Sequence, residues 1–164
     1  PGVGAFGEGM QNLKKRGLVS VIKEIVASGK PFFGICLGLQ LLFSVSEENP
    51  GVKGLDLLPG EVRKFKREDV VKIPHMGWNQ VELKQQDPLF KGFSRPRNFY
   101  FVHSYYVKPE QEKVIMGKTT YGKKEFTSVI RSNNIWGIQC HPEKSSSIGL
   151  EVLQNFYTLV RRER

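Results

Sequence analysis

A chain of 164 residues has the size of one ordinary domain and is long enough to bury a core of its own. With 39% hydrophobic and 25% charged residues it is neither a disordered segment nor a collagen-like repeat, and no apolar run nears the ~18 residues a membrane span needs. The formal charge of +9 raises a polyanionic partner, but the basic residues are scattered, which favours a solvated cationic surface and argues against nucleic acid. Two cysteines, Cys36 and Cys140, are too few for a disulfide framework, so a reducing, cytoplasmic setting is expected.

Pro1-Gly2-Val3-Gly4 reads as a turn that follows a strand outside the chain, so residues 1–164 are expected to form a single domain that is incomplete at its N-terminus. Met10–Ser28 reads as one amphipathic helix, with Leu18, Val21, Ile22, Ile25 and Val26 at helical spacing, stopped by Gly29-Lys30-Pro31. Pro31–Ile35 is short and apolar apart from Gly34, as in a strand covered on both faces of a parallel sheet. Leu37–Val45 resumes helical spacing. Helix, buried strand and helix in succession point to an α/β fold.

The next ninety-odd residues, by contrast, carry short β-prone runs at Glu61–Phe65, Val81–Leu83, Phe99–Val107, Val114–Thr120, Thr127–Arg131 and Ile135–Cys140. Ser132-Asn133-Asn134 reads as a hairpin turn, because Asn tolerates positive φ. Ser147–Arg162 closes the chain as a helix with Gly149, Leu153, Phe156, Tyr157 and Val160 on one face, and Arg161-Arg162-Glu163-Arg164 as its solvated end.

Chemistry concentrates in two short stretches. Gly34-Ile35-Cys36-Leu37-Gly38, between a buried strand and a helix, is the cysteine version of a nucleophile elbow. The flanking glycines allow close backbone approach, the following helix directs its amides at the sulfur, and the Leu37 N–H can help bind an oxyanion. A thiolate needs a base. His141 sits at the end of an apolar strand, with Glu143 two residues on across Pro142, placed to orient the imidazole. A second oxyanion donor is expected from the Pro1–Gly4 loop, whose glycines let backbone N–H groups turn inward. Of the other histidines, His103 reads as structural and His75, beside Met76 and Trp78, as part of an interface. Cys140 reads as a buried packing residue, and the His and Cys spacings match no zinc motif, so neither metal nor cofactor is expected.

These stretches, with Leu39-Gln40-Leu41-Leu42, Pro74-His75-Met76-Gly77-Trp78-Asn79, Tyr100-Phe101-Val102-His103-Ser104-Tyr105 and Lys144-Ser145, resemble the class I, triad-type, glutamine amidotransferases. Within them the Pro74–Asn79 and Tyr100–Tyr105 stretches are similar to the glutaminase subunits of imidazole glycerol phosphate synthase. The resemblance implies a flavodoxin-like three-layer α/β sandwich with a mostly parallel central sheet. It implies catalysis by Cys36, His141 and Glu143 through a γ-glutamyl thioester, with the oxyanion held by Leu37 and Gly4. Gln40, Ser104 and Tyr105 are then expected to bind glutamine, while His75, Trp78, Asn79, Tyr100 and Lys144 meet a (β/α)₈-barrel cyclase subunit that receives the ammonia. One departure is Cys140, where the family usually has a larger residue such as Phe, which leaves looser packing behind His141. Other readings stay open at this stage. The triad equally fits an amidotransferase of another synthase, such as one aminating a surface sugar, and it fits a γ-glutamyl or cysteine hydrolase.

Overall fold

The computed structural model describes residues 1–162; Glu163 and Arg164, read from sequence as part of the solvated helix end, lie outside the described residues. The first helical stretch is two helices, α1 (Phe6–Lys15) and α2 (Leu18–Ala27), where one was expected over Met10–Ser28. Gly17 separates them at φ 65°, a left-handed conformation that suits glycine. Helix α1 starts earlier than its apolar spacing suggests because distant side chains cap it. Glu48 Oε2 accepts from the Phe6 N–H at 2.8 Å and Asn49 Oδ1 from the Gly7 N–H at 2.7 Å. The apolar face of α2 is only partly used, since Val19, Ile22 and Val26 pack on the core while Leu18 and Val21 stay exposed.

Strand β1 (Phe32–Ile35) runs into a helix, α3 (Leu37–Leu41), that is shorter than the expected Leu37–Val45. Incoming chain takes the carbonyls a longer helix would use: the Leu55 N–H donates to Leu41 O, and the Leu57 and Leu58 N–H groups donate to Leu42 O. Phe43–Ser46 therefore becomes strand β2, parallel to β3 (Leu58–Lys64). Then follow β4 (His75–Leu83), β5 (Arg97–His103), β6 (Tyr105–Pro109), β7 (Ile115–Tyr121), β8 (Lys124–Ser132), β9 (Ile135–Ile138) and α4 (Ser146–Arg162). The run expected over Phe99–Val107 breaks at Ser104, so that β5 pairs with β4 while β6 pairs with β3 and β8.

The strands follow the order β2-β3-β6-β8-β7-β4-β5, with β9 beside β8 and β1 beside β9. The α/β class expected from sequence stands, but the sheet is mixed where a mostly parallel one was expected. Only β1–β9 and β2–β3 are parallel among the described residues. Short turns force antiparallel neighbours. One is the expected turn at Ser132–Asn134, where Asn133 has φ 51° and Ser132 pairs with Ile135.

Alternation along the central strands divides the core in two. On one face Phe33, Ile35, Trp136 and Ile138 pack with Val152 and Phe156 of α4. On the other, Ile135 and Phe32 join Phe6, Met10, Leu39 and Leu42 from α1 and α3. Gly137 belongs to this second face, where a Cβ would lie 2.5 Å from Leu39 Cδ1. Helix α4 is seated by Ile148, Val152, Leu153, Phe156 and Leu159; Leu153 and Phe156 of the expected face are among them, while Tyr157 is 54% exposed. Gly149 has a different purpose there: a Cβ would collide with the Pro142 carbonyl, so glycine brings α4 against the turn after β9. No helix among the described residues is long and apolar enough to cross a membrane.

Candidate active site

The parallel pairing of β1 with β9, with Ile35 opposite Ile138, carries both strands out of the sheet at the same end. That is the end at which parallel strands present functional groups. Cys36 follows β1 directly, and its N–H donates to Ile138 O at 2.8 Å. It sits at φ 53°, a left-handed conformation that costs a non-glycine residue roughly 1–3 kcal/mol and marks a functional turn. The two elbow glycines are not equivalent. A Cβ on Gly34 would lie 2.8 Å from the backbone oxygen of Gly38, so only glycine lets the helix close onto the strand. A Cβ on Gly38 would meet nothing nearer than the Pro1 nitrogen at 4.0 Å.

His141 emerges three residues beyond Ile138, and its backbone is clamped. Its N–H donates to Tyr100 O at 2.8 Å, and its carbonyl accepts from Ser145 Oγ at 2.6 Å. Ser145 Oγ in turn accepts from the Tyr100 N–H at 2.9 Å. Glu143 Oε1 lies 2.6 Å from His141 Nδ1. A carboxylate accepts, so Nδ1 carries a proton, and in the neutral imidazole Nε2 presents a lone pair. His141 is 1% exposed, and Nε2 is buried with no hydrogen-bond partner among the described residues. A buried ring nitrogen left unpartnered is costly and points to a role in chemistry.

Burial pushes the Cys36 thiol up to about 11; the Leu37 N–H and the Gln139 amide draw it down, while the Glu143 charge adds to the rise and Lys144 opposes it. The group at rest is a thiol, and a base has to take its proton. Cys140, one residue from His141, is 1% exposed and belongs to the same core cluster as Ile138 and Val152, as a buried packing residue would. Burial raises its thiol still further, which leaves it inert.

The Leu37 N–H is not an open oxyanion donor in this state, because it donates to the Gly2 carbonyl at 3.3 Å. Gly2 bridges Cys36 directly, so the Pro1–Gly4 loop does lie along the elbow. Gly4 holds φ 119°, which glycine alone adopts readily. Gln40 is 5% exposed, and its Nε2 is committed inside the protein, to Tyr105 O at 3.1 Å and Gln139 Oε1 at 3.2 Å. Its nitrogen is therefore spoken for before any ligand arrives. Ser104 and Tyr105 are half-buried at the β5–β6 corner, where the Ser104 carbonyl accepts from the Phe65 N–H.

Trp78 and Tyr100 pair across β4 and β5 with ring centroids 6.2 Å apart, and Trp78 is 54% exposed. Lys144 is exposed on the turn after His141, and Asn79 is half-buried. His75 differs from the interface reading. It is 3% exposed, stacked between Phe101 and Tyr121, and bonded to His103, because alternation along β4 turns it inward while Met76 and Trp78 face out. Burial lowers His75 to about 4 and His103 to about 3, so both are neutral.

Two site residues escaped the sequence reading. Gln139 Nε2 lies 3.6 Å from Cys36 Sγ, and Ser145 locks the His141 backbone. The signal for Gln139 was available: an amide ending the apolar strand Ile135–Ile138 on the face turned toward α3. Ser145 carried none. Among the described residues no group of three or more His, Cys, Asp or Glu gathers as a metal site would.

A family model described as glutamine amidotransferase class-I matches residues 1–160. The chain is 55% identical over 161 residues to the imidazole glycerol phosphate synthase subunit HisH of Moorella thermoacetica, spanning 98% of this chain and 75% of that protein. It is 51% identical over 160 residues to the HisH of Methanocaldococcus jannaschii, spanning 98% and 79%. The fold is similar to that of a putative GMP synthase protein from Thermoplasma acidophilum, with TM-score 0.63 at 16% identity over 92% of this chain and 68% of that one. A glutamine amidotransferase from Thermotoga maritima gives TM-score 0.60 at 18% identity, over 99% and 62%.

Proposed function

The chain belongs to the class I glutamine amidotransferases, and on that premise we propose that it is the glutaminase subunit of an imidazole glycerol phosphate synthase, hydrolysing glutamine at Cys36. The observation that carries the site assignment is His141: its Nδ1 is held by Glu143 at 2.6 Å, and its buried Nε2 is unpartnered at the sheet end that also presents Cys36.

The reaction runs in two halves. His141 Nε2 takes the Cys36 proton as Sγ attacks the carboxamide carbon of glutamine. Negative charge develops on the carboxamide oxygen, and the imidazolium is stabilised by Glu143. Nε2 then returns the proton to the departing nitrogen, and ammonia leaves a γ-glutamyl thioester. Water, deprotonated by the same nitrogen, cleaves the thioester and frees glutamate and Sγ. The Leu37 N–H can hold the oxyanion only after the Gly2 carbonyl has withdrawn, so the loop Pro1–Gly4 acts as a stop on the first half. Gly4 supplies the second donor once the loop has moved, and Ser104 and Tyr105 hold the amino-acid end of the substrate, with Gln40 behind them.

The partner in this reading is a (β/α)₈-barrel cyclase, which receives ammonia to make imidazole glycerol phosphate and AICAR in histidine biosynthesis. It sits on the face of Trp78, Tyr100, Asn79 and Lys144, and both proteins work in the cytoplasm. The test is glutamate release in the presence of that partner by the natural chain and by Cys36→Ala. The variant is expected to bind the partner and release no glutamate above background. A comparable rate from Cys36→Ala would refute the assignment of the nucleophile.

A further inference from the structure

We propose that Gln139 is the positioning residue of the nucleophile, and that its donor is held on Cys36 Sγ by a buried hydrogen-bond chain anchored on the Tyr105 carbonyl and reaching the surface at Asn79. The proposal rests on the reading of Cys36 as nucleophile.

The direction of every bond in this chain follows from its anchor. A carbonyl only accepts, and that of Tyr105 accepts twice, from His103 Nδ1 at 2.7 Å and from Gln40 Nε2 at 3.1 Å. On the inner arm, Gln40 Nε2 spends its second hydrogen on Gln139 Oε1 at 3.2 Å. That orients the Gln139 amide, leaving its Nε2 to donate to Sγ at 3.6 Å. Neither amide can flip without setting a nitrogen against a nitrogen or an oxygen against the Tyr105 oxygen.

On the outer arm, His103 Nδ1 carries the proton, so His103 Nε2 accepts and His75 Nδ1 must donate to it, at 3.0 Å. His75 Nε2 then accepts from Asn79 Nδ2 at 3.2 Å, whose other hydrogen goes to Thr120 O at 2.9 Å. Both imidazoles have to be neutral for this order to hold, and their burial keeps them so. Gln40, Gln139, His75 and His103 are all at most 6% exposed, so water does not compete along the run, and bonds in such a chain polarise one another. Asn79, on the β4 strand that also carries exposed Trp78, is the half-buried end where a change at the surface enters.

The test is the rate of alkylation of Cys36 by iodoacetamide as a function of pH, resolved from Cys140 by peptide mass, with kcat and KM for glutamine measured beside it. Glu143, Lys144 and Cys140 act electrostatically with the sulfur and the Leu37 N–H bonds to it; these and His141 are kept in every variant, so a shift reports the lost donor. In Gln139→Leu the profile is expected to move up by about one pH unit, with kcat down about tenfold and KM within about twofold. Gln139→Met, which also lacks both polar atoms, is read alongside in case the first variant does not fold. His103→Leu is expected to slow alkylation about threefold at neutral pH, and His103→Asn, whose Nδ2 can replace the donor to Tyr105, to restore it. A wild-type profile in a folded Gln139 variant, or a rise confined to KM, overturns the positioning role. A wild-type profile in folded His103→Leu overturns the chain. Alkylation needs no turnover, so a failure of the glutaminase reading in Cys36→Ala remains distinguishable from a failure here.

Discussion

Cys36 and His141 are prepared by opposite means. The thiol is held neutral by burial, while the imidazole is fixed by a carboxylate on Nδ1 and left without a partner on Nε2 among the described residues. Because Glu143 is 42% exposed on its side chain, water softens its loss. Glu143→Gln is expected to lower kcat by about 10- to 100-fold and leave KM nearly unchanged, measured as glutamate release at saturating glutamine. His75 and His103 give a second expectation. Both are lowered from 6.5, to about 4 and about 3, so the unfolded chain binds more protons than the folded one between those values and 6.5. Their contribution to stability is complete above pH 6.5 and is lost as pH falls toward 4. A melting temperature lower at pH 4.5 than at pH 7 by more than about 5 °C is expected, and replacing both histidines should flatten that dependence. At this scale much was legible. The glycines around Cys36 mark the turn at φ 53°, and the spacing of Glu143 from His141 puts the carboxylate on Nδ1. Gln139 was legible only as an amide ending an apolar strand; its place beside Cys36 depends on the register of β9 against β1, which no local pattern carries.

The elbow is an element whose geometry rests on one glycine more than the other. Gly34→Ala puts a Cβ against a backbone oxygen that cannot step aside, and a loss of about 2–4 kcal/mol is expected in denaturant unfolding. Gly38→Ala enters open space within α3 and is expected to be neutral or to stabilise by up to about 1 kcal/mol. Equal losses at both positions would contradict this account of the turn. Element boundaries also show where sequence reading stops. The break at Gly17 was visible as a glycine, yet the apolar spacing ran through it. The early start of α1 depends on Glu48 and Asn49, and the early end of α3 on chain arriving at Leu55–Leu58. Long-range hydrogen bonds set these ends, and helical periodicity contains no trace of them.

Across the whole molecule, the α/β class followed from a helix, a buried strand and a helix in succession, whereas the mixed sheet did not. The hairpin turn at Ser132–Asn134 was legible, but the break at Ser104 and the insertion of antiparallel strands beside the parallel pairs were not. His75 shows the same limit, since its neighbours Met76 and Trp78 do face outward and only strand alternation sends the histidine into the core. The central proposal is that a partner seated on the surface at β4 and β5, whose Tyr100 carbonyl accepts from the His141 N–H, opens a Leu37 N–H closed off by the Gly2 carbonyl. One measurement tests it most directly, namely glutamate release by this chain alone and in complex with the barrel cyclase loaded with its nucleotide ligand. Freeing one oxyanion donor is worth about 10²- to 10³-fold in rate, so a rise of that order on adding the loaded partner is expected. An equal rate with and without the partner would contradict it.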